Sequence, residues 1–228
     1  MLNKISVQYG FSLIELMISM SIGIFILGGV LGIFSNTVHS NAESLMTSRL
    51  QNVLRTSMAI MQNDIRRAGY WENALATSGA NNPFTAAGTD LRVLDGGTCI
   101  LYTYDLNKNG IIDNNTEYFG FRLNGGKLEM RVSGTTTTDC HVSNTEWEPV
   151  TDSSVITIAN LDFDTSSYVC TNLTNTADIN CAAPSAGDIT QTIRQIAISM
   201  SGYVTKNTAI ARSVAESVRV RNDRLKKI

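Results

Sequence analysis

The chain has 228 residues, a formal net charge of −2 at pH 7 and 7% aromatic residues, so neither a basic surplus nor aromatic richness advertises a nucleic-acid surface. Hydrophobic residues make up 43% of the chain, enough for one ordinary core, but they crowd into the first thirty-four positions, which points to one anchored domain. The four cysteines lie after the apolar segment without C-x-x-C spacing, which favours disulfides in an oxidising compartment over zinc.

The chain opens with a polar decapeptide, Met1 to Gly10, whose only charge is Lys4. Leu16 to Phe34 follow as nineteen residues without a charge, close to what a helix needs to cross the hydrocarbon layer. A secretory leader places its apolar stretch before a small-residue cleavage site; here a polar stretch ending in glycine comes first. Lys4 favours a cytoplasmic decapeptide, which would leave everything after Phe34 on the far, periplasmic side. Glu15 stands at the start of the apolar run, although a carboxylate costs up to about 3 kcal/mol at the bilayer centre and less near the interface. Gly28 and Gly32 make a small-xxx-small spacing that permits close helix approach in lipid, and local loosening of the helix explains the glycines equally well.

Gly10-Phe11-Ser12-Leu13-Ile14-Glu15 resembles the cleavage motif of type IV prepilins, type II secretion pseudopilins and competence pilins. The resemblance implies a prepilin peptidase cutting between Gly10 and Phe11 and N-methylation of Phe11. It also implies an assembly role for Glu15, and a physical account fits: the amino group freed at Phe11, with a pKa of about 8, can pair with a neighbour's Glu15 in an apolar filament core and set axial register.

Beyond Phe34 the composition becomes mixed, yet Val38, Ala42, Leu45, Met46, Val53, Leu54, Met58, Met61 and Ile65 keep helical spacing. No proline interrupts Phe11 to Ala68 and Gly69 offers a stop, so one helix of about 58 residues and roughly 87 Å is expected. The stripe holds no strict heptad, so packing on the chain's own C-terminal domain explains it better than a coiled coil. Asn63-Asp-Ile-Arg-Arg-Ala-Gly-Tyr-Trp71 resembles the segment closing the long helix of PilW-type minor pilins. Arg66 and Arg67 read first as cations paired with the negative end of the helix dipole, worth less than about 1 kcal/mol on an exposed surface.

From Leu91 short β-rich runs alternate with turn residues. Cys99 to Tyr104, Glu117 to Leu123 and Lys127 to Val132 read as strands, the last two joined by Asn124-Gly125-Gly126, a strong hairpin signal. Val155 to Ile158, Ile193 to Met200 and Val214 to Val220 add further strands, and Asn160 to Gly187 reads as a long exposed loop region. Between two of the strands, Asp105, Asn107, Asn109 and Asp113, with the Ile111 carbonyl and a bend at Gly110, match the front of an EF-hand-type loop, making calcium a candidate structural ion. Thr116 occupies the twelfth position and Glu117 the thirteenth, so the closing acid is displaced and an Asn-Gly-rich hairpin turn is the competing reading.

Four cysteines allow three connectivities; Cys99 with Cys140 and Cys170 with Cys181 is preferred, because the second pair brackets a polar loop of ten residues. Near the C-terminus Arg212, Arg219, Arg221, Arg224, Lys226 and Lys227 outnumber Glu216 and Asp223, and Ser217-Val-Arg-Val-Arg-Asn222 resembles the closing strand of PilW-type proteins. A basic edge can touch DNA or an acidic neighbour, but without interleaved aromatics a charged strand that discourages edge pairing is the better reading. The only histidines are His39 and His141, and no phosphate loop or nucleophile elbow appears, so catalysis has no visible home.

The expected architecture is therefore an α+β, pilin-like lollipop: a leader over 1–10, a transmembrane half-helix over 11–34, an amphipathic half over 35–70 and a β-rich domain over 71–228. The resemblance implies a non-enzymatic minor pilin that works with other minor pilins, the major pilin and an inner-membrane assembly platform, and with a tip adhesin, before passing into the filament. A J-type pseudopilin of type II secretion and a calcium-dependent tip adhesin are the alternatives, and direct nucleic-acid binding is set aside.

Overall fold

A computed structural model describes residue 10, residues 12–75 and residues 81–228. Phe11 and the decapeptide up to Tyr9 lie outside the described residues, so the methylation and leader expectations fall there. The chain divides into two compact units, residues 1–45 and 46–228. Helix α1, Leu13–Ile65, has 53 residues, shorter at both ends than the 58 expected from sequence.

Within the second unit α1 carries Leu50, Leu54, Met58, Met61 and Ile65 on one face, all buried. Their spacing of three and four residues matches the helical period, and each such side chain taken from water contributes about 1.5–3 kcal/mol. Burial begins at Leu50; Val38, Leu45 and Met46, expected in the stripe, are exposed, while Leu50 and Ser57 are buried without having been part of it. The helix ends where Gly69 takes φ +72° and its N–H donates to the Thr103 carbonyl at 2.8 Å. A Cβ there would meet a guanidinium nitrogen of Arg194 at 2.7 Å, so both backbone and space select glycine.

Eleven strands form three antiparallel sheets among the described residues. The first joins β1 (Arg92–Leu94), β2 (Cys99–Thr103), β3 (Tyr118–Asn124), β4 (Lys127–Arg131) and β5 (Trp147–Pro149) as a meander in chain order. Its β3–β4 hairpin pairs Asn124 with Lys127 across Gly125 and Gly126, both at positive φ as the turn requires. The second has the order β10-β9-β6, from β6 (Ile156–Asp164), β9 (Gln195–Val204) and β10 (Asn207–Arg219). The third has the order β11-β8-β7, from β7 (Val169–Asn172), β8 (Ile189–Ile193) and β11 (Arg224–Lys227).

The segment 160–187 departs from the long loop expected. Residues 160–164 extend β6 and 169–172 form β7, because Leu161 and Phe163 alternate inward in a stretch whose composition otherwise reads as loop. The inward faces of the first two sheets, with Ile100, Tyr102, Phe121, Leu128, Ile158, Leu161, Phe163, Ile196, Ile198 and Met200, close on the buried helix face as one core.

Candidate functional site

Glu15 lies in the first turn of α1, where a carboxylate is favoured by the unsatisfied N–H groups of the helix start. The Ser12 carbonyl accepts from the N–H groups of Glu15 and Leu16 at 3.1 Å, which begins the helix directly after the junction with Gly10. From Leu13 to Phe34 every large apolar side chain is exposed, Leu13 by 80% and Phe25 by 86%. The segment has mean hydropathy 2.3 over its most apolar window, with none of that window buried in the chain. Nothing within 4 Å would obstruct a Cβ at Gly10, Gly23, Gly28, Gly29 or Gly32, so the chain itself makes no use of their small size.

The loop between β2 and β3 is organised by two buried carboxylates. Asp105, 1% exposed, accepts from the Asn109 N–H at 3.1 Å, the Gly110 N–H at 3.0 Å and the Glu72 N–H at 3.1 Å. Glu117, also 1% exposed, accepts from Leu106 N–H at 2.8 Å and Asp113 N–H at 2.9 Å. The Asn107 and Asn109 side-chain amides both donate to Asp113 Oδ2, and their own oxygens accept from the N–H groups of Asn109 and Ile111. Ile111 itself is exposed. Lys108 and Gly110 both take positive φ, which turns alternate side chains to the same side.

The donor set suits a hard cation in composition, being all oxygen, but each carboxylate is at present turned onto N–H donors. Among the described residues, the one set of three His, Cys, Asp or Glu ligand atoms within 4.8 Å of one another is Asp95, Cys99 and Cys140. Its two sulfurs are bonded to each other, so it offers no metal site. The structure joins Cys99 to Cys140 and Cys170 to Cys181, at sequence separations of 41 and 11. Cys99 and Cys140 are buried beneath Leu101 and Trp147, while Cys170 and Cys181 are partly exposed.

Sequence reasoning misassigned the arginines at the helix end. The closing carbonyls are taken by main-chain and distant donors: Arg66 O accepts from Arg221 N–H at 3.0 Å, Arg67 O from Tyr70 N–H at 3.0 Å, and Ala68 O from the side chains of Asn222 and Arg194. Arg67 instead stacks on the Tyr104 ring at 4.0 Å and pairs with Asp64 at 3.7 Å. Asp64 also accepts from the Tyr102 and Tyr104 hydroxyls at 2.6 and 3.0 Å, and burial, reinforced by that carboxylate, pushes both phenols above their ordinary range.

Arg194 was not singled out from sequence, yet it is the most connected buried charge. Its guanidinium donates to Asp90 Oδ1 at 2.8 Å and to the Asn222 carbonyl at 2.7 Å, with Arg224 on the other Asp90 oxygen at 3.2 Å. Burial raises the Asp90 carboxyl against the pull of both arginines, and lowers Arg194 against the pull of Asp90. The only signal was a charged residue between Ile193 and Gln195 in an alternating strand pattern, which an exposed strand end gives equally. Arg122 and Arg131 are likewise buried, paired with Glu129 and Glu146, with Trp147 lying against both guanidiniums.

An exposed apolar helix that begins directly after a Gly-Phe junction and carries one carboxylate in its first turn defines a membrane-anchored prepilin-type subunit. Residues 5–31 match the prokaryotic N-terminal methylation motif. Residues 43–220 match the family described as prepilin peptidase-dependent protein B, and the chain belongs to that family. Membership makes it a pilin-like structural protein processed by prepilin peptidase, within a pilus-type system. No curated protein and no solved structure matches the chain significantly.

Proposed function

We propose that this protein is a PilW-type minor pilin, a non-enzymatic subunit that helps prime type IV pilus assembly as part of an initiation or tip complex. The observation that carries the reading is the uninterrupted exposed apolar surface from Leu13 to Phe34 with Glu15 as its one charge. Such a surface needs lipid first and other subunits afterwards. Before assembly the chain sits in the inner membrane with residues 46–228 in the periplasm, in keeping with two disulfides. Its partners are other minor pilins, the major pilin, the assembly platform and a tip adhesin; twitching, adhesion and DNA uptake follow from filament formation.

The test is a deletion strain scored for surface pili and for type II secretion. Loss of pili restored by the wild-type chain, and not by Glu15→Ala, supports the reading. Loss of secretion with pili intact replaces it with a J-type pseudopilin.

A second reading concerns the 105–117 loop. Asp105 and Glu117 are buried carboxylates with no Lys or Arg within ion-pair distance among the described residues, and a buried anion asks for a compensating cation. We propose that calcium supplies it, held by Asp105, Asn107, Asn109, the Ile111 carbonyl, Asp113 and Glu117, whose carboxylates exchange N–H donors for the ion. Calorimetry of the metal-free chain with added calcium should show saturable heat that Asp113→Ala abolishes; no heat would reject the site and leave a calcium-dependent adhesin without a basis.

A further inference from the structure

At the C-terminal end of α1, Arg66, Arg67, Lys108 and Arg221 converge on an open cavity of about 440 Å³ whose lining includes Tyr70 and Asp105. Arg67 has its own partners in Asp64 and the Tyr104 ring. Arg66, Lys108 and Arg221 form no ion pair among the described residues, and the helix-end carbonyls next to them already have donors. Their charge is therefore neither compensated nor used as a helix cap. Two of the three are fixed relative to each other, because the Arg221 N–H donates to the Arg66 carbonyl at 3.0 Å. Lys108 stands at φ +64°, a conformation costly for lysine and favoured by glycine or asparagine, so local backbone preference does not explain the residue.

We infer that this cavity is a docking site for an acidic segment of a partner protein, its carboxylates received by Arg66, Arg221 and Lys108. Guanidinium forks bind carboxylates in two-point fashion, and partial enclosure strengthens each contact over its value on an open surface. The concave shape takes two or three side chains, whereas a nucleic-acid backbone needs a basic stripe along its phosphates. Asp105 within the cavity and the chain's net charge of −2 oppose a polyphosphate further. The inference does not depend on the assembly role, since it concerns residues remote in sequence from the anchor.

Fluorescence anisotropy with the full-length chain in detergent micelles and a labelled hexaglutamate peptide tests it. Binding should weaken with salt, because such pairs are screened over about 10 Å at 0.1 M. Replacing both Arg66→Gln and Arg221→Gln should weaken binding about tenfold or more. Lys108→Asn removes a charge while relieving the backbone, so binding should fall with thermal stability kept or raised, a combination that misfolding cannot produce. Arg212→Gln, on β10 outside the cavity lining, should leave affinity within about twofold. No peptide binding, or a double variant that binds like wild type, overturns the inference. Displacement of the peptide by a short DNA duplex that binds more tightly overturns it in favour of nucleic acid.

Discussion

Replacing Arg194 by methionine removes the charge that ties together three parts of the β-rich domain. The side chain is 2% exposed and Asp90 12%. Arg194 links the helix end through Ala68, the segment before β1 through Asp90, and the segment before β11 through Asn222. Removing one partner of a buried ion pair costs about 3–5 kcal/mol, because the other charge remains without compensation. Asp90 keeps Arg224 at 3.2 Å and the Leu91 N–H at 2.8 Å, which places the expected loss at the lower end, about 3 kcal/mol. At roughly 2–4 °C per kcal/mol for a domain of this size, Tm should fall by about 6–12 °C.

Both members of the pair carry a desolvation cost, seen in the raised Asp90 carboxyl and the lowered Arg194 guanidinium. Arg194→Met combined with Asp90→Leu removes both charges and leaves Arg224, one-third exposed, to solvent. The double variant should regain at least half of the lost Tm. The assay is thermal unfolding of the full chain in detergent, followed by the fluorescence of Trp71 and Trp147, both in this domain and both buried. A single variant within about 2 °C of wild type, or a double variant no better than the single, would refute the account of the pair.

The disulfides should differ in weight: by loop-closure entropy the 41-residue separation of Cys99–Cys140 contributes about 4 kcal/mol and the 11-residue separation of Cys170–Cys181 about 3. Serine replacement of both members of each pair, compared by urea midpoint, should put the Cys99–Cys140 variant lower, with a further penalty from its burial beside Trp147. Asp64→Ala leaves the buried Tyr102 hydroxyl without its acceptor and should cost about 1–3 kcal/mol, while Asp64→Asn keeps an acceptor and should cost less; chemical unfolding separates the two. Asp188 accepts from the Ser185 N–H, Asn172 and Thr174, and these bonds hold its carboxyl below the usual 3.8. Its stabilising contribution is therefore complete above 3.8 and lost as pH falls through the lower folded value. Hydrogen exchange of residues 170–190, compared with Asp188→Asn, should show the wild-type advantage shrinking only in that acid range. An advantage independent of pH would contradict the assignment.

How much of this was legible in the sequence depends on the range of the interaction. The anchor, Glu15 and the start of the long helix are written in consecutive residues, as is the β3–β4 hairpin with its two glycines. The cysteine pairing follows from separation along the chain and could be preferred without a structure. β7, β8 and β11 were not recognised, because short polar strands bury little on either face and carry no alternation to detect. The Arg194 cluster was illegible for a different reason. Asp90 lies 104 residues from Arg194 and Asn222 lies 28, so only folding brings them together, and a buried arginine has the same letter as a solvated one.

The same contrast bears on why α1 changes character along its length. From Leu50 onward its apolar residues sit on one stripe because a single fixed partner, the sheet face, receives them. From Leu13 to Phe34 they cover the whole circumference, and no patterned face exists to choose between partners. On the proposed role this uniformity is required, since the same surface must dissolve in lipid before assembly and in a bundle of neighbouring helices after it. A purely apolar surface in either setting could slide along its axis at little cost. A single carboxylate removes that freedom, because leaving Glu15 without a cation costs more than any one apolar contact returns, so the position of the subunit is fixed where a neighbour's amino terminus meets it.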